Sequence, residues 1–225
     1  MIDARGVVVY TTIFGASDSL KMAPLGADRC VCFTDDITRD PEGWQLVHQE
    51  ASDPRREAWH LRCVPHLLFS KYSTVVWIDA SFTLVDLPQL VRDAGAAPIA
   101  ALRHHERASP YREAARLVRI GQSERDAVGR QVLQYLGEGF QSPHLSISCI
   151  LVRKRSREVA HFNETWDEQI RRHPGDNTQV SLDYSAWRHG LEIRALRGTR
   201  HDNPYARHDH ADHSSRRRPY VQRSA

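Results

Sequence analysis

A chain of 225 residues, 40% hydrophobic and 26% charged, has the length and composition of one ordinary globular domain with a sizeable core. Its formal net charge of +3 is too small to demand nucleic acid as a partner, and no run approaches the roughly 18 apolar residues of a membrane span. Residues 1–6 pass straight into a strand-like segment, so no signal peptide is expected, and Cys30, Cys32, Cys63 and Cys149 lack zinc-type spacing and read as reduced core residues, which points to the cytoplasm.

Taken in order, residues 6–10 read as a first buried strand, carried by Thr11-Thr12-Ile13-Phe14 into a turn at Gly15. Residues 30–33 form a second strand, closed by Thr34-Asp35-Asp36, and residues 44–48 a third. Asp53-Pro54 has the form of a helix start, with Asp as N-cap and Pro at the first helical position, and Pro65 ends or kinks that helix. A short helical turn over residues 66–69 leads to residues 74–78, a β-branched and aromatic run of the kind buried on both faces. Residues 98–102 predict a strand beside it. Residues 111–135 carry helical spacing divided by Gly121. A strand with polar breaks follows at 145–152, an amphipathic helix at 159–170, a further helix at 177–189 and a last strand at 191–196. The alternation predicts one α/β domain over residues 1–200, with a mostly parallel central sheet flanked by helices. Residues 201–225 read as a His- and Arg-rich tail, its final ten or so residues poorly ordered.

Four groups could carry chemistry. Tyr10, Thr11 and Thr12 offer a ring and hydroxyls able to grip a base and ribose, or a plain strand-to-turn transition. Asp35 and Asp36 could bind a base edge or ribose hydroxyls, or cap the following turn. Asp79 stands where a buried strand leaves the core, with Ser81 two residues on. A charge there is costly unless water, a partner or a metal meets it. The carboxyl ends of such strands are where open α/β sheets bind ligands, and a carboxylate with a nearby oxygen suits a divalent cation holding a diphosphate. The His-rich segment 201–213, with His208 as the candidate, could deliver a late imidazole to that metal, or bind transition metals adventitiously. No phosphate loop, dinucleotide fingerprint or nucleophile elbow occurs, which removes the commonest nucleotide-hydrolase, dehydrogenase and serine-hydrolase readings.

Several stretches together resemble the TOD1/MUCI70 glycosyltransferase-like domain family (DUF616), found in plants and many bacteria. They are Tyr10-Thr11-Thr12-Ile13-Phe14-Gly15, Cys32-Phe33-Thr34-Asp35-Asp36, Asp53-Pro54-Arg55-Arg56 with Pro65-His66, and Trp77-Ile78-Asp79-Ala80-Ser81. Tyr111-Arg112-Glu113-Ala114, Gly139-Phe140, Phe162-Asn163-Glu164-Thr165-Trp166 and Gln179-Val180-Ser181-Leu182-Asp183-Tyr184 continue the pattern, so that it spans about residues 7–190. The resemblance implies a GT-A type fold, a nucleotide-sugar donor (a UDP-sugar foremost), and Mn²⁺ or Mg²⁺ at Asp79, helped by Ser81. It implies that the first strand and Asp35-Asp36 hold the nucleoside, and that Arg55, Arg62 and His66 offset phosphate charge. Arg62 stands where the family usually has lysine.

One departure concerns the family's Arg-Asp-Gln, which reads Asn177-Thr178-Gln179 here, with Asp176 two residues before the missing acid. Asp176 and Glu113 are the candidate bases near an acceptor hydroxyl, and Gln179 keeps its place in the motif. The expected activity is hexose transfer from a nucleotide-diphosphate sugar to a glycan or other hydroxyl acceptor; this donor and acceptor are the expected partners, and nucleic acid is not. The alternatives are a nucleotide- or glycan-binding module without turnover, and a metal-dependent hydrolase, which would need a second metal site.

Overall fold

Residues Arg5–Ile13 form β1, around which a seven-stranded sheet is laid out. The computed structural model describes residues 5–15, 19–173 and 178–208. From β1 the chain moves outward through β2 (Arg29–Thr34) and β3 (Gln45–His48), each parallel to its neighbour. It then makes α1 (Pro54–Cys63) and α2 (Pro65–Leu68) and returns on the other side of β1 as β4 (Tyr72–Ile78), again parallel. The start of α1 is as expected: Asp53 Oδ1 accepts from the amides of Arg55 and Arg56 at 3.2 and 3.1 Å, and Pro54 opens the first turn. Pro65 ends it.

Beyond β4 come β5 (Phe82–Leu84), α3 (Leu87–Ala94) and β6 (Ile99–Arg103). The sequence reading left β5 and α3 unassigned, although Asp86 capping Gln89 N at 2.9 Å, with Pro88 beside it, is a local helix-start signal. Next are α4 (Pro110–Arg119), α5 (Arg125–Gly137), β7 (Ser146–Lys154), α6 (Arg157–Arg172), α7 (Gln179–Arg188), β8 (Ile193–Ala195) and β9 (Ala206–His208). The sheet order is β3-β2-β1-β4-β7-β6-β8, and β7 alone runs against the rest.

Two expectations are corrected. Residues 98–102 were expected beside β4, but β7 lies between, antiparallel to both β4 and β6. All of β7 except Lys154 is buried, so a central place covers both of its faces. Residues 201–208, assigned to the tail, belong to the fold. Tyr205 is fully buried, its hydroxyl donates to Asp93 Oδ2 at 2.7 Å, and β9 after it pairs antiparallel with β5. Residues 209–225 lie outside the described residues, as do Asp176 and Asn177.

The period of two sorts the strands onto two faces. Tyr10, Val75 and Trp77 join α1, α6 and α7 in one cluster, while Val9, Val76 and Ile78 join α3, β5 and β9 in another. A third cluster seats α4 and α5 on α7. Among the described residues no helix is long and apolar enough to cross a membrane.

A polar contact locks α1 to α6. His60 Nδ1 lies 2.9 Å from Asp167 Oδ1, and this hydrogen bond holds the imidazole above its ordinary pKa of 6.5. Because the folded pKa is raised, the contribution to stability is complete below pH about 6.5 and is lost as pH climbs through the folded value. Thermal unfolding of wild type and His60→Gln across pH about 5 to 9 should therefore show the largest difference in midpoint at the acid end, closing toward the alkaline end. A difference independent of pH would contradict the contact.

Candidate functional site

The chain leaves β1 toward β2 on one side and reaches β4 on the other, so the order reverses between β1 and β4. At such a switch point the connections diverge from the carboxyl ends of the strands and leave a crevice. Here it is a cleft of about 440 Å³, lined by Thr12, Ile13 and Phe14 from the end of β1, by Trp77, Asp79, Ala80 and Ser81 from the end of β4, and by Pro54, Arg55, Ala58 and Arg62 of α1.

Asp79 is the first residue past β4 and is fixed by its backbone. Its amide donates to Cys149 O at 2.9 Å, and its carbonyl accepts from Phe82 N at 3.0 Å. Its Oδ1 accepts from Arg62 Nη2 at 2.7 Å and from Trp77 Nε1 at 3.0 Å. Among the described residues no donor meets Oδ2, and the side chain stays 26% exposed to the cleft side of the molecule. One carboxylate oxygen is thus held by two donors and the other by none among the described residues.

Arg62 carries the arrangement. Its guanidinium lies over the Trp77 ring at 4.7 Å, and its Nη1 donates to Ser148 Oγ at 2.9 Å and Thr178 Oγ1 at 3.1 Å. Those two hydroxyls are themselves 3.1 Å apart. Thr178 is fully buried with φ 72°, left-handed backbone that a β-branched residue adopts at a cost of about 1–3 kcal/mol. Its carbonyl is held by Trp166 Nε1 at 3.0 Å. Ser148, Thr178 and Trp166 were missed as site residues. A buried indole or hydroxyl signals a need for a partner, but nothing local says which.

The expected residues divide sharply. Thr12, Arg55, Arg62, Asp79 and Ser81 meet in the cleft, with Arg55 also lying over Trp59 at 4.4 Å. Tyr10 does not: it is fully buried, its hydroxyl donates to Arg62 O at 2.9 Å and accepts from Arg153 Nη2 at 2.7 Å, so its ring supports the end of α1 and cannot grip a base. Thr11 is buried in β1 beside it. Asp35 accepts from Gly15 N at 2.8 and 3.0 Å, and Asp36 caps the next turn through Thr38 N at 3.0 Å and Thr38 Oγ1 at 2.6 Å. Both aspartates serve turns and neither lines the cleft. His66 opens onto a different cavity, because α2 packs toward α6. Glu113 is buried in α4 against Arg107 and Arg116, in the third cluster's neighbourhood, which disqualifies it as a free base in the cleft. Gln179 opens α7 directly after Thr178. Asp176 lies outside the described residues.

His208 sits opposite Phe82 in the β5–β9 ribbon, its ring 4.5 Å from the phenyl, and Phe82 is the residue whose amide closes the turn onto Asp79. The imidazole thus comes to the same end of the molecule as Asp79 through pairing alone. Among the described residues no group of three or more His, Cys, Asp or Glu side chains is arranged to hold a metal ion. A cation at Asp79 Oδ2 would therefore take most of its ligands from phosphate and water, a mode that suits Mg²⁺ and related ions. None of the four cysteines is in a disulfide, and burial pushes the Cys149 thiol up to about 12, which leaves no thiolate for chemistry beside Asp79.

The chain is a mixed α/β fold with a cleft at the switch point of its sheet, lined by Asp79, Arg55 and Arg62. Compared with known proteins, the chain matches no family model and none of the curated sequences.

Replacing Arg62 by Met should cost about 1–3 kcal/mol in chemical denaturation, because Asp79, Ser148 and Thr178 all lose a donor. A double-mutant cycle with Asp79→Asn should return a coupling of about 0.5–3 kcal/mol, and additive effects would refute the pair.

Proposed function

We propose that this chain is a metal-dependent glycosyltransferase of GT-A type, passing a hexose from a nucleoside-diphosphate sugar, a UDP-sugar foremost, to a hydroxyl acceptor on a glycan. The observation that supports it most is the cleft between the carboxyl ends of β1 and β4, where Asp79 offers one unpartnered carboxylate oxygen beside Ser81, Arg55 and Arg62. Thr12 and Phe14 form the wall available to the nucleoside. Asp79 and Ser81 would hold Mn²⁺ or Mg²⁺, which when bound neutralises the diphosphate as it leaves. Arg55 adds a cation on the same wall, while Arg62 keeps Asp79 oriented. In the transfer, the bond from the anomeric carbon to the β-phosphate oxygen breaks, the acceptor oxygen bonds to that carbon, and the acceptor's proton passes to a base or to the departing diphosphate. Four cysteines without a disulfide are in keeping with a cytoplasmic setting.

Thr178 favours one alternative, a nucleotide- or glycan-binding module without turnover. A hydroxyl stands where the resembling family carries an acid, and it is already committed to Arg62 and Ser148.

Calorimetric titration of UDP and GDP, with Mn²⁺ and with chelator, tests both. Binding should require the metal and weaken at least about tenfold, or about 1.4 kcal/mol, in Asp79→Ala. Release of free sugar from the matching nucleotide-sugar then marks the enzyme, and binding without release marks the module. Failure of folded protein to bind either nucleotide would refute the transferase and a nucleotide-binding module, and leave glycan binding as the module's remaining form.

A further inference from the structure

At the opposite end of β4 from Asp79, a second cavity of about 290 Å³ opens between α2, β4, the end of β7 and the first turn of α6. Phe69, Tyr72, Val75 and Val159 give it apolar walls, and Arg153 belongs to the same lining although it is 1% exposed. A guanidinium stays charged inside a protein, and a buried charge demands an opposite charge to offset its lost hydration.

Arg153 has only neutral partners among the described residues. Its Nη1 donates to Asn163 Oδ1 at 2.9 Å and its Nη2 to the Tyr10 hydroxyl at 2.7 Å, while Nε has no hydrogen-bond partner. The Tyr10 phenol is pushed up to about 12 by burial, so no phenolate supplies the missing charge. The rest of the lining adds to the imbalance: Lys154 and Arg155 follow Arg153 in the same wall. The lining also includes Ser156, which caps α6, a 16-residue helix whose amino end favours negative charge. His66 lines the cavity too, and both of its ring nitrogens are buried without a hydrogen bond, the nearest carboxylate oxygen, from Glu164, standing 3.7 Å away. Among the described residues Arg153 thus keeps one N–H unbonded and has no counter-charge, and both ring nitrogens of the partly buried His66 on the same cavity lack a hydrogen bond. Such groups are rare in native structures unless a ligand, ion or water completes them.

We propose that this cavity binds a small organic anion, a carboxylate or phosphate carried on a compact apolar body. The uncompensated Arg153 guanidinium supplies positive charge from within the cavity wall, Lys154 and Arg155 add to it, and Phe69 and Val159 pack the body. The site is separate from the Asp79 cleft and independent of the transferase reading.

Titration of the full chain with benzoate, phenyl phosphate, inorganic phosphate and benzyl alcohol, followed by NMR or calorimetry, tests it. Saturable binding of benzoate or phenyl phosphate is expected, stronger than that of inorganic phosphate and absent for the uncharged alcohol; the stronger of the two anions tells carboxylate from phosphate. Arg153→Gln should weaken that binding at least tenfold. Because that change also disturbs Tyr10 and Asn163, Ala160→Phe provides a second arm: it fills the cavity from α6, leaves Arg153 in place, and should abolish binding in a protein shown to be folded. No saturable binding of either organic anion, binding of the alcohol as strong as theirs, or binding that survives Ala160→Phe would overturn the proposal.

Discussion

Arg62 leaves the last turn of α1, lies over the Trp77 indole, and donates to Asp79, Ser148 and Thr178. One guanidinium thereby ties together α1, the end of β4, the start of β7 and the approach to α7. The planar fork makes this possible, since a lysine ammonium could neither stack on the indole nor reach three acceptors in fixed directions. The consequence for the cleft is that Asp79 cannot turn both oxygens inward. Oδ1 is held, and among the described residues no donor meets Oδ2. The left-handed backbone at Thr178 fits the same constraint, because the strain at that residue is balanced by buried bonds to its hydroxyl and carbonyl.

Tyr10 is the second strut. It lies on the same sheet face as Trp77, with ring centroids 5.0 Å apart, and its hydroxyl stands between Arg153 and the Arg62 carbonyl in the last turn of α1. One phenol therefore supports the Asp79 cleft from below and lines up the buried cation of the second cavity. Both cavities arise from the same topology. They sit at opposite ends of β4, one where parallel strands release their loops and the other where β7 ends and α6 begins.

The residues that sequence placed correctly are those governed by local rules. Asp53-Pro54 opens α1, Gly121 separates α4 from α5, and the apolar run ending at Ile78 leaves Asp79 at a strand's carboxyl end. What escaped depends on contacts far apart in the chain. Ser148 and Thr178 reach Arg62 across 86 and 116 residues. The place of β7 between β4 and β6 is a pairing choice that its own nine residues do not encode. Tyr10 and Thr11 illustrate a further limit. Alternation says that they face opposite ways, but which face meets α1 is set by how the helix packs. Asp35 and Asp36 looked equally fit for a ligand or a turn, and the amides of Gly15 and Thr38 decided for the turns.

The central claim is that a divalent cation and a nucleoside diphosphate meet at Asp79. Mn²⁺ is paramagnetic and broadens amide signals near it, so a ¹⁵N spectrum of the protein with UDP, recorded before and after adding Mn²⁺, locates the ion directly. Selective loss of the signals of Thr12, Phe14, residues 79–81 and the β5–β9 ribbon, reversed by chelator and absent in Asp79→Ala, is the predicted result. Broadening centred elsewhere, or none at all with nucleotide present, would contradict it.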